Sequence, residues 1–215
     1  FLGGLTNWAY TSTISTITNL IKIDVENSVD DTADAVAVGG IVGLVADTKF
    51  NYCSNYGPIN VAINEDKKVY RYCVGGLAGA TFSGTEINYS YNATSIMAGY
   101  ATSTSLSTVV GEYYVGGLVG YSDGIDITGS YNSGTIKSGN KSNGATSGTS
   151  TKGVSYGGGI IAYASSANIT ECYNEGTVES LGTSPETKYV WKYEYRQDII
   201  LKRKLKLVLY QTSQR

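Results

Sequence analysis

Small, large apolar and polar residues recur along this chain in one order, four times over. The copies read "VGGIVGLVADTKFNYCSNYGPI" from Val38, "VGGLAGATFSGTEINYSYNATSI" from Val74, "VGGLVGYSDGIDITGSYNSGTI" from Val115 and "GGGIIAYASSANITECYNEGTV" from Gly157. Their starts are 36, 41 and 42 residues apart, and the unit keeps 22 residues apart from one extra in the second copy. The connectors vary in length: Asn60 to Cys73, Met97 to Tyr114 and Lys137 to Tyr156. Self-similarity at this period marks a stacked array in which each unit contacts its neighbours. A constant unit with elastic connectors is what stacking requires.

Within the unit, Ile41, Leu77, Leu118 and Ile160 form a column that is always a large aliphatic. It is preceded by Gly40, Gly76, Gly117 and Gly159, and two residues after it stand Gly43, Gly79, Gly120 and Ala162. Alternate residues of a strand share a face, so one face reads small, large, small. Val42, Ala78, Val119 and Ile161 are apolar as well, which predicts cover on both faces, with the connectors supplying the second. Phe50, Ile87, Ile127 and Ile169 make a second apolar column, and Ile59, Ile96, Ile136 and Val178 a third. Three strands per unit is the simplest expectation. Between the last two columns every copy carries an asparagine: Asn55, Asn92, Asn132 and Asn174. Asparagine tolerates left-handed backbone, bonds its own turn and can pair amide to amide between rungs. This turn-and-ladder reading is preferred over a row of glycan-binding amides.

The pattern divides the chain into three. Residues 1–37, opening "FLGGLTNW", read as a divergent first coil. Residues 38–184 hold the four repeats, with cores 38–59, 74–96, 115–136 and 157–178. Residues 185–215 are a basic tail or capping strand. That tail has a net charge of +5 against −7 for residues 1–184, and its Leu201, Leu205, Leu207 and Leu209 alternate with Lys202, Lys204 and Lys206. Lysine on a terminal strand opposes edge-to-edge pairing. The alternatives are docking to an acidic surface or the start of another domain.

Composition narrows the class. With 27 Gly, 19 Tyr, 2 Pro, 1 Met and 16% charged residues, the chain suits strands and turns and is predicted all-β. Histidine is absent, which removes the commonest general base and metal ligand. Cys53, Cys73 and Cys172 lie far apart without a C-x-x-C spacing, suggesting neither a zinc site nor a disulfide framework. Stacking sets Cys53 and Cys172 three rungs, or roughly 14 Å, apart, which forbids a bridge. No run approaches the ~18 apolar residues of a membrane helix. A chain that opens without methionine is expected to have flanking regions in a longer parent.

The G-G-[IL]-x-G core and the Cys/Ser-Tyr-Asn-x-Gly ending resemble GLUG-motif repeats, over Val38 to Val178. The resemblance implies a parallel β-helix or related β-solenoid of about four to five coils. It also implies a bacterial cell-surface or secreted protein, as in immunoglobulin A peptidase stalks and adhesins, with a non-catalytic structural or adhesive role. It carries over no catalytic residue, and the peptidases' H-E-x-x-H is absent.

Other candidates are weighed against plain structural roles. Asp123 and Asp126 in "SDGIDI" could form a carboxylate pair for glycoside cleavage or calcium, but Asp-Gly favours a turn and other copies lack the acid. Asp30, Asp31 and Asp34 lack calcium-loop spacing. Sequons at Asn88, Asn92, Asn140 and Asn168 carry little weight. Tyrosines flank the glycine core (Tyr70, Tyr72, Tyr113, Tyr114, Tyr156 before it, Tyr121 and Tyr163 after it) and end the unit (Tyr91, Tyr131, Tyr173). They are expected to cap the outer face, the alternative being stacking on sugars or a protein partner. No catalytic, cofactor or metal residue is assigned, and neither nucleic acid nor membrane insertion is expected. A host or cell-surface glycan or protein is the expected partner, and a β-helical carbohydrate-binding or polysaccharide-degrading protein is the alternative function.

Overall fold

In a computed structural model of the chain, the described residues are 1–26, 35–63, 71–101, 112–139, 154–180, 188–191 and 209–210. Their regular structure is entirely β, in four sheets of seven, eight, five and five strands. The chain visits the sheets in a constant order. In the fourth coil, Glu112–Gly116 enters the first sheet, Val119–Ser122 and Ile125–Thr128 the second, Tyr131–Asn132 the third and Ile136–Ser138 the fourth. Each pairs in parallel with its counterparts on either side. Val115 stands opposite Val74 and Gly157, Asn132 opposite Asn92 and Asn174, and Ile136 opposite Ile96 and Val178. The fold is a parallel β-solenoid.

The lowest rung is made by Leu2–Gly3, Thr6–Ser15, Thr18–Asn19 and Ile23–Glu26, each parallel to its equivalent in the coil above. At the other end, Lys188–Trp191 adds a parallel strand to the first sheet beside Val154–Gly158, and Leu209–Tyr210 pairs with it in antiparallel fashion. The Leu201–Leu207 alternation lies outside the described residues, as do Asp30, Asp31, Asp34, Tyr70, Asn140 and most of the glycine-rich third connector.

The fourth coil contains five strand segments where the periodicity suggests three, because corners interrupt the pattern. The first strand of each coil ends at Gly39, Gly75, Gly116 or Gly158, and the next begins three residues later. Ile41, Leu77, Leu118 and Ile160 therefore sit in a bend between two sheets rather than on one strand face with the following small residue. A second corner has left-handed backbone at Asp47, Gly84 and Gly124. A third has it at Thr16, Tyr52, Tyr89, Gly129 and Glu171, with φ between 49° and 60°. This corner, three residues ahead of the asparagines, is where the left-handed turn falls; none of the four asparagines has positive φ.

The first sheet lies in the middle of the coil. One of its faces presents Val38, Val74 and Val115 to Ile59, Ile96 and Ile136 of the fourth sheet. The other packs Ala37, Cys73 and Tyr114 against Ala80 and Ala162 of the second. A third cluster joins the bend residues Ile41, Leu77, Leu118 and Ile160 to Phe50, Ile87 and Ile127. Burying one such side chain is worth about 1.5–3 kcal/mol, and the columns repeat it rung by rung. The strand that closes each connector is thus what covers the second sheet. Gly79 and Gly120 allow that approach: a Cβ on Gly79 would stand 2.8 Å from the Ala37 carbonyl carbon, and one on Gly120 2.8 Å from the Tyr114 carbonyl oxygen. Tyr72, Tyr113 and Tyr114 depart from the outer-face expectation, Tyr114 lying buried between the first and second sheets. Tyr72 and Tyr113 face the other way. They share the inward face with Val74 and Val115, are buried, and stack at 5.0 Å.

At Gly117 an added Cβ would collide with the Gly159 carbonyl oxygen and lie 2.6 Å from Asn132 Cγ. Gly117→Ala is expected to lower unfolding free energy by about 3 kcal/mol or more, measured by chemical denaturation, because backbone of the next rung cannot yield.

Candidate functional site

Two features of the solenoid carry organised polar or aromatic chemistry: a buried amide ladder and rows of tyrosine. The ladder runs through Asn19, Asn55, Asn92, Asn132 and Asn174. Each Nδ2 of the first four donates to Oδ1 of the next at 2.7, 2.9, 2.7 and 2.7 Å. Each Nδ2 of the five also donates to the carbonyl two residues ahead in its own coil, at 2.7 to 3.1 Å. An amide carries two donors, and within the stack both are used. All five are buried, so satisfying them avoids the roughly 1–3 kcal/mol that an orphaned buried polar group costs.

The glycines of the repeat belong to this ladder. A Cβ on Gly40 would lie 2.6 Å from Asn55 Cγ, one on Gly76 2.7 Å from Asn92 Cγ, and one on Gly117 2.6 Å from Asn132 Cγ. Gly159 stands in the same way against Asn174. Gly57 and Gly134, two residues past the asparagine, would each place a Cβ 2.8 Å from the amide nitrogen one rung below. The glycine pair and the asparagine, more than a dozen residues apart in sequence, are two sides of one contact. Its first member, Asn19, is not marked by the repeat alignment, which starts at Val38; the "TNL" after the Ile/Thr run is the only signal.

Cysteine and serine share a second buried column. Ser90 Oγ accepts from the Cys53 N–H at 2.9 Å, and Ser130 Oγ accepts from the Ser90 N–H at 3.0 Å. The Cys53 thiol lies between the Ile14 carbonyl of the coil below and the Asn51 carbonyl of its own, and that of Cys172 likewise between Ile127 and Thr170. All three cysteines are free and buried. Burial pushes each thiol up, Cys73 to about 12. Because the folded value lies above the ordinary 9.0, the stability gained from a neutral Cys73 is complete below that pH and lost as pH climbs toward about 12.

The tyrosines form rows spaced as the rungs are. Tyr91, Tyr131 and Tyr173 stack at 4.8 and 4.9 Å, and the Tyr56 hydroxyl meets that of Tyr91 at 2.6 Å. Tyr52 and Tyr89 stack at 5.4 Å on the left-handed corner, with exposures of 64% and 52%. Left-handed backbone turns their side chains out of the coil. The row ends where the Tyr89 ring lies over Gly129, whose Cβ would come within 2.6 Å of it. A third group pairs Tyr114 with Tyr156 and Tyr121 with Tyr163, at 4.7 and 5.2 Å. Glu112 accepts hydrogen bonds there from Arg71 at 3.2 Å and from the Tyr114 hydroxyl at 2.7 Å, and Arg71 sits 5.9 Å above the Tyr121 ring. Tyr52, Tyr56, Tyr89, Arg71 and Glu112 were not singled out by the sequence reading. Tyr52 and Tyr89 were nonetheless findable, since both directly precede the Cys53/Ser90 column.

The acidic candidates are engaged between rungs. Asp123 accepts from Ser165 at 2.6 Å and Asp126 from Asn168 at 2.7 Å, both on the exposed surface. Among the described residues no group of three Cys, Asp or Glu side chains could hold a metal ion.

An in-register amide ladder inside stacked parallel coils defines the class: a repeat protein of the β-solenoid type. The family model described as the GLUG motif matches residues 111–137, so the fourth coil carries a GLUG repeat. Comparison with curated proteins and with solved structures gives no match.

Asn132→Asp is expected to destabilise by about 3 kcal/mol at neutral pH, since a carboxylate cannot donate to Asn174 or to Gly134. The loss shrinks toward about pH 4, where the buried carboxyl is protonated, as equilibrium unfolding at both pH values will show. A thiol reagent at mildly alkaline pH is expected to leave the three native cysteines unmodified and to label all of them in guanidinium, read by mass spectrometry.

Proposed function

We propose that the chain is a non-catalytic structural and adhesive segment of a bacterial cell-surface or secreted protein, holding a fixed length while tyrosine rows on its flank make contact with a glycan or protein. The observation that carries this reading is the cross-rung register of the asparagine sheet, which holds through all five coils. The same amide, aliphatic and aromatic columns run from coil to coil, which gives a rod in which every rung braces the next. Support for the adhesive part comes from Tyr52 and Tyr89, large rings left in water on a corner with no packing role in the core. Support for a non-catalytic role comes from the engagement of Asp123 and Asp126 by Ser165 and Asn168.

A β-helical carbohydrate-binding protein is the second reading, favoured by the same ring row, since sugars stack on aromatic faces. Immobilised glycans and surface proteins are the test. Retention of the wild-type chain, reduced several-fold by the pair Tyr52→Ala and Tyr89→Ala at unchanged melting temperature, is the expected result. Retention indifferent to both substitutions would remove the tyrosine row from the proposal, and release of reducing sugar from a polysaccharide would replace the whole reading with an enzymatic one.

A further inference from the structure

The end of the solenoid formed by the first coil exposes what the other coils bury. Leu2 pairs with Val38, and Leu2 is 39% exposed whereas Val38 is fully buried. The Leu5 N–H donates to Ile41, and Leu5 is 52% exposed whereas Ile41 is fully buried. Trp8, opposite the half-buried Leu44, is 62% exposed. Ile21 and Phe1 add to the same end. Exposed apolar side chains beside unpaired strand edges mark an interaction surface.

The ladder supplies a polarity that limits what can cover it. Each asparagine donates toward the higher-numbered coil, so Asn19 presents its Oδ1 to the open end. That oxygen accepts the Ile21 N–H at 3.1 Å, whereas Asn132 Oδ1 accepts both the Gly134 N–H and the Asn92 amide. Among the described residues the second acceptor position of the buried Asn19 has no donor. Two copies joined first coil to first coil would bring Asn19 oxygen against Asn19 oxygen, an acceptor facing an acceptor. A copy joined head to tail would need the first-sheet edge at Val154–Gly158, which Lys188–Trp191 already occupies.

We infer that this end is a docking surface for one further GLUG-type coil, contiguous with Phe1 in the parent chain and running parallel to the first rung. That coil supplies an asparagine amide to Asn19 and aliphatic side chains over Leu2 and Leu5. The inference rests on the rod-like reading above and specifies how the rod continues. Contiguity follows from the existing topology, in which each coil feeds the first sheet of the next through a connector.

The test fuses residues 35–72 ahead of Phe1 in the full chain, so that Tyr72 precedes Phe1 as it precedes Cys73. Trp191→Phe leaves Trp8 as the sole tryptophan reporter. Coil addition is expected to shift Trp8 emission to the blue, reduce its quenching by acrylamide and slow amide exchange in Thr6–Ser15 and Ile23–Glu26. The same fusion with the added coil's Ile41→Asp and Asn55→Asp is expected to leave Trp8 and those amides as they are in the unfused chain. The unfused chain is expected to be monomeric by light scattering. An added coil that stays protease-sensitive with Trp8 unchanged would overturn the inference, as would an unfused chain that dimerises and shields Trp8. Neither outcome depends on glycan or protein retention, so the adhesive reading stands or falls separately.

Discussion

The fold depends on one contact repeated at every rung: an asparagine amide held between its neighbours above and below and pressed against a glycine of its own coil. A buried amide has to place two donors, and a stacked column lets it place one on the next amide and one on a turn carbonyl. The geometry leaves no room for a Cβ where the amide lies, so Gly40, Gly76, Gly117 and Gly159 follow from the asparagines. Once the ladder sets the register, the aliphatic columns beside it have no freedom to slip, because a shift of one residue would turn each strand's buried side chains outward.

The same register organises what faces water. Parallel in-register pairing puts like on like, so tyrosines chosen at one column position become stacked rows, and acids at Asp123 and Asp126 find Ser165 and Asn168 one rung on. Cross-rung ion pairs such as Lys49 with Glu86 at 2.8 Å and Lys137 with Glu179 at 3.3 Å use the same spacing, though both are exposed and each is worth little alone. Coils still differ at some columns: Tyr89 gives way to Gly129 on the exposed corner, and Tyr121 stands where Leu44 and Ala80 do.

How much of this is legible without coordinates differs by feature. The period, the all-β class and the GLUG resemblance are visible because identical columns repeat. The number of strands is not, because two-residue strands such as Tyr131–Asn132 and bends such as Gly40–Ile41 are shorter than any periodicity can register. Left-handed backbone was expected near the asparagines and falls instead at Thr16, Tyr52, Tyr89, Gly129 and Glu171. Residue type alone could not show it there, since threonine, tyrosine and glutamate rarely adopt that conformation. Tyr72 and Tyr113 were expected outside and lie within, because the faces of their strand are assigned only when the sheet's two neighbours are known.

The sequence by itself determined the repeat, its register and the residues that stack, since a column of asparagines or of branched aliphatics has one economical use in a chain that piles like on like. Only the tertiary structure decided that the first strand of each coil is the central layer and that glycine and asparagine meet. It also decided that the first coil leaves its apolar columns uncovered. The physical reason is the same in each case: these are contacts between residues a strand or a rung apart, and one-dimensional spacing carries no information about which face of a strand, or which end of a stack, meets another surface.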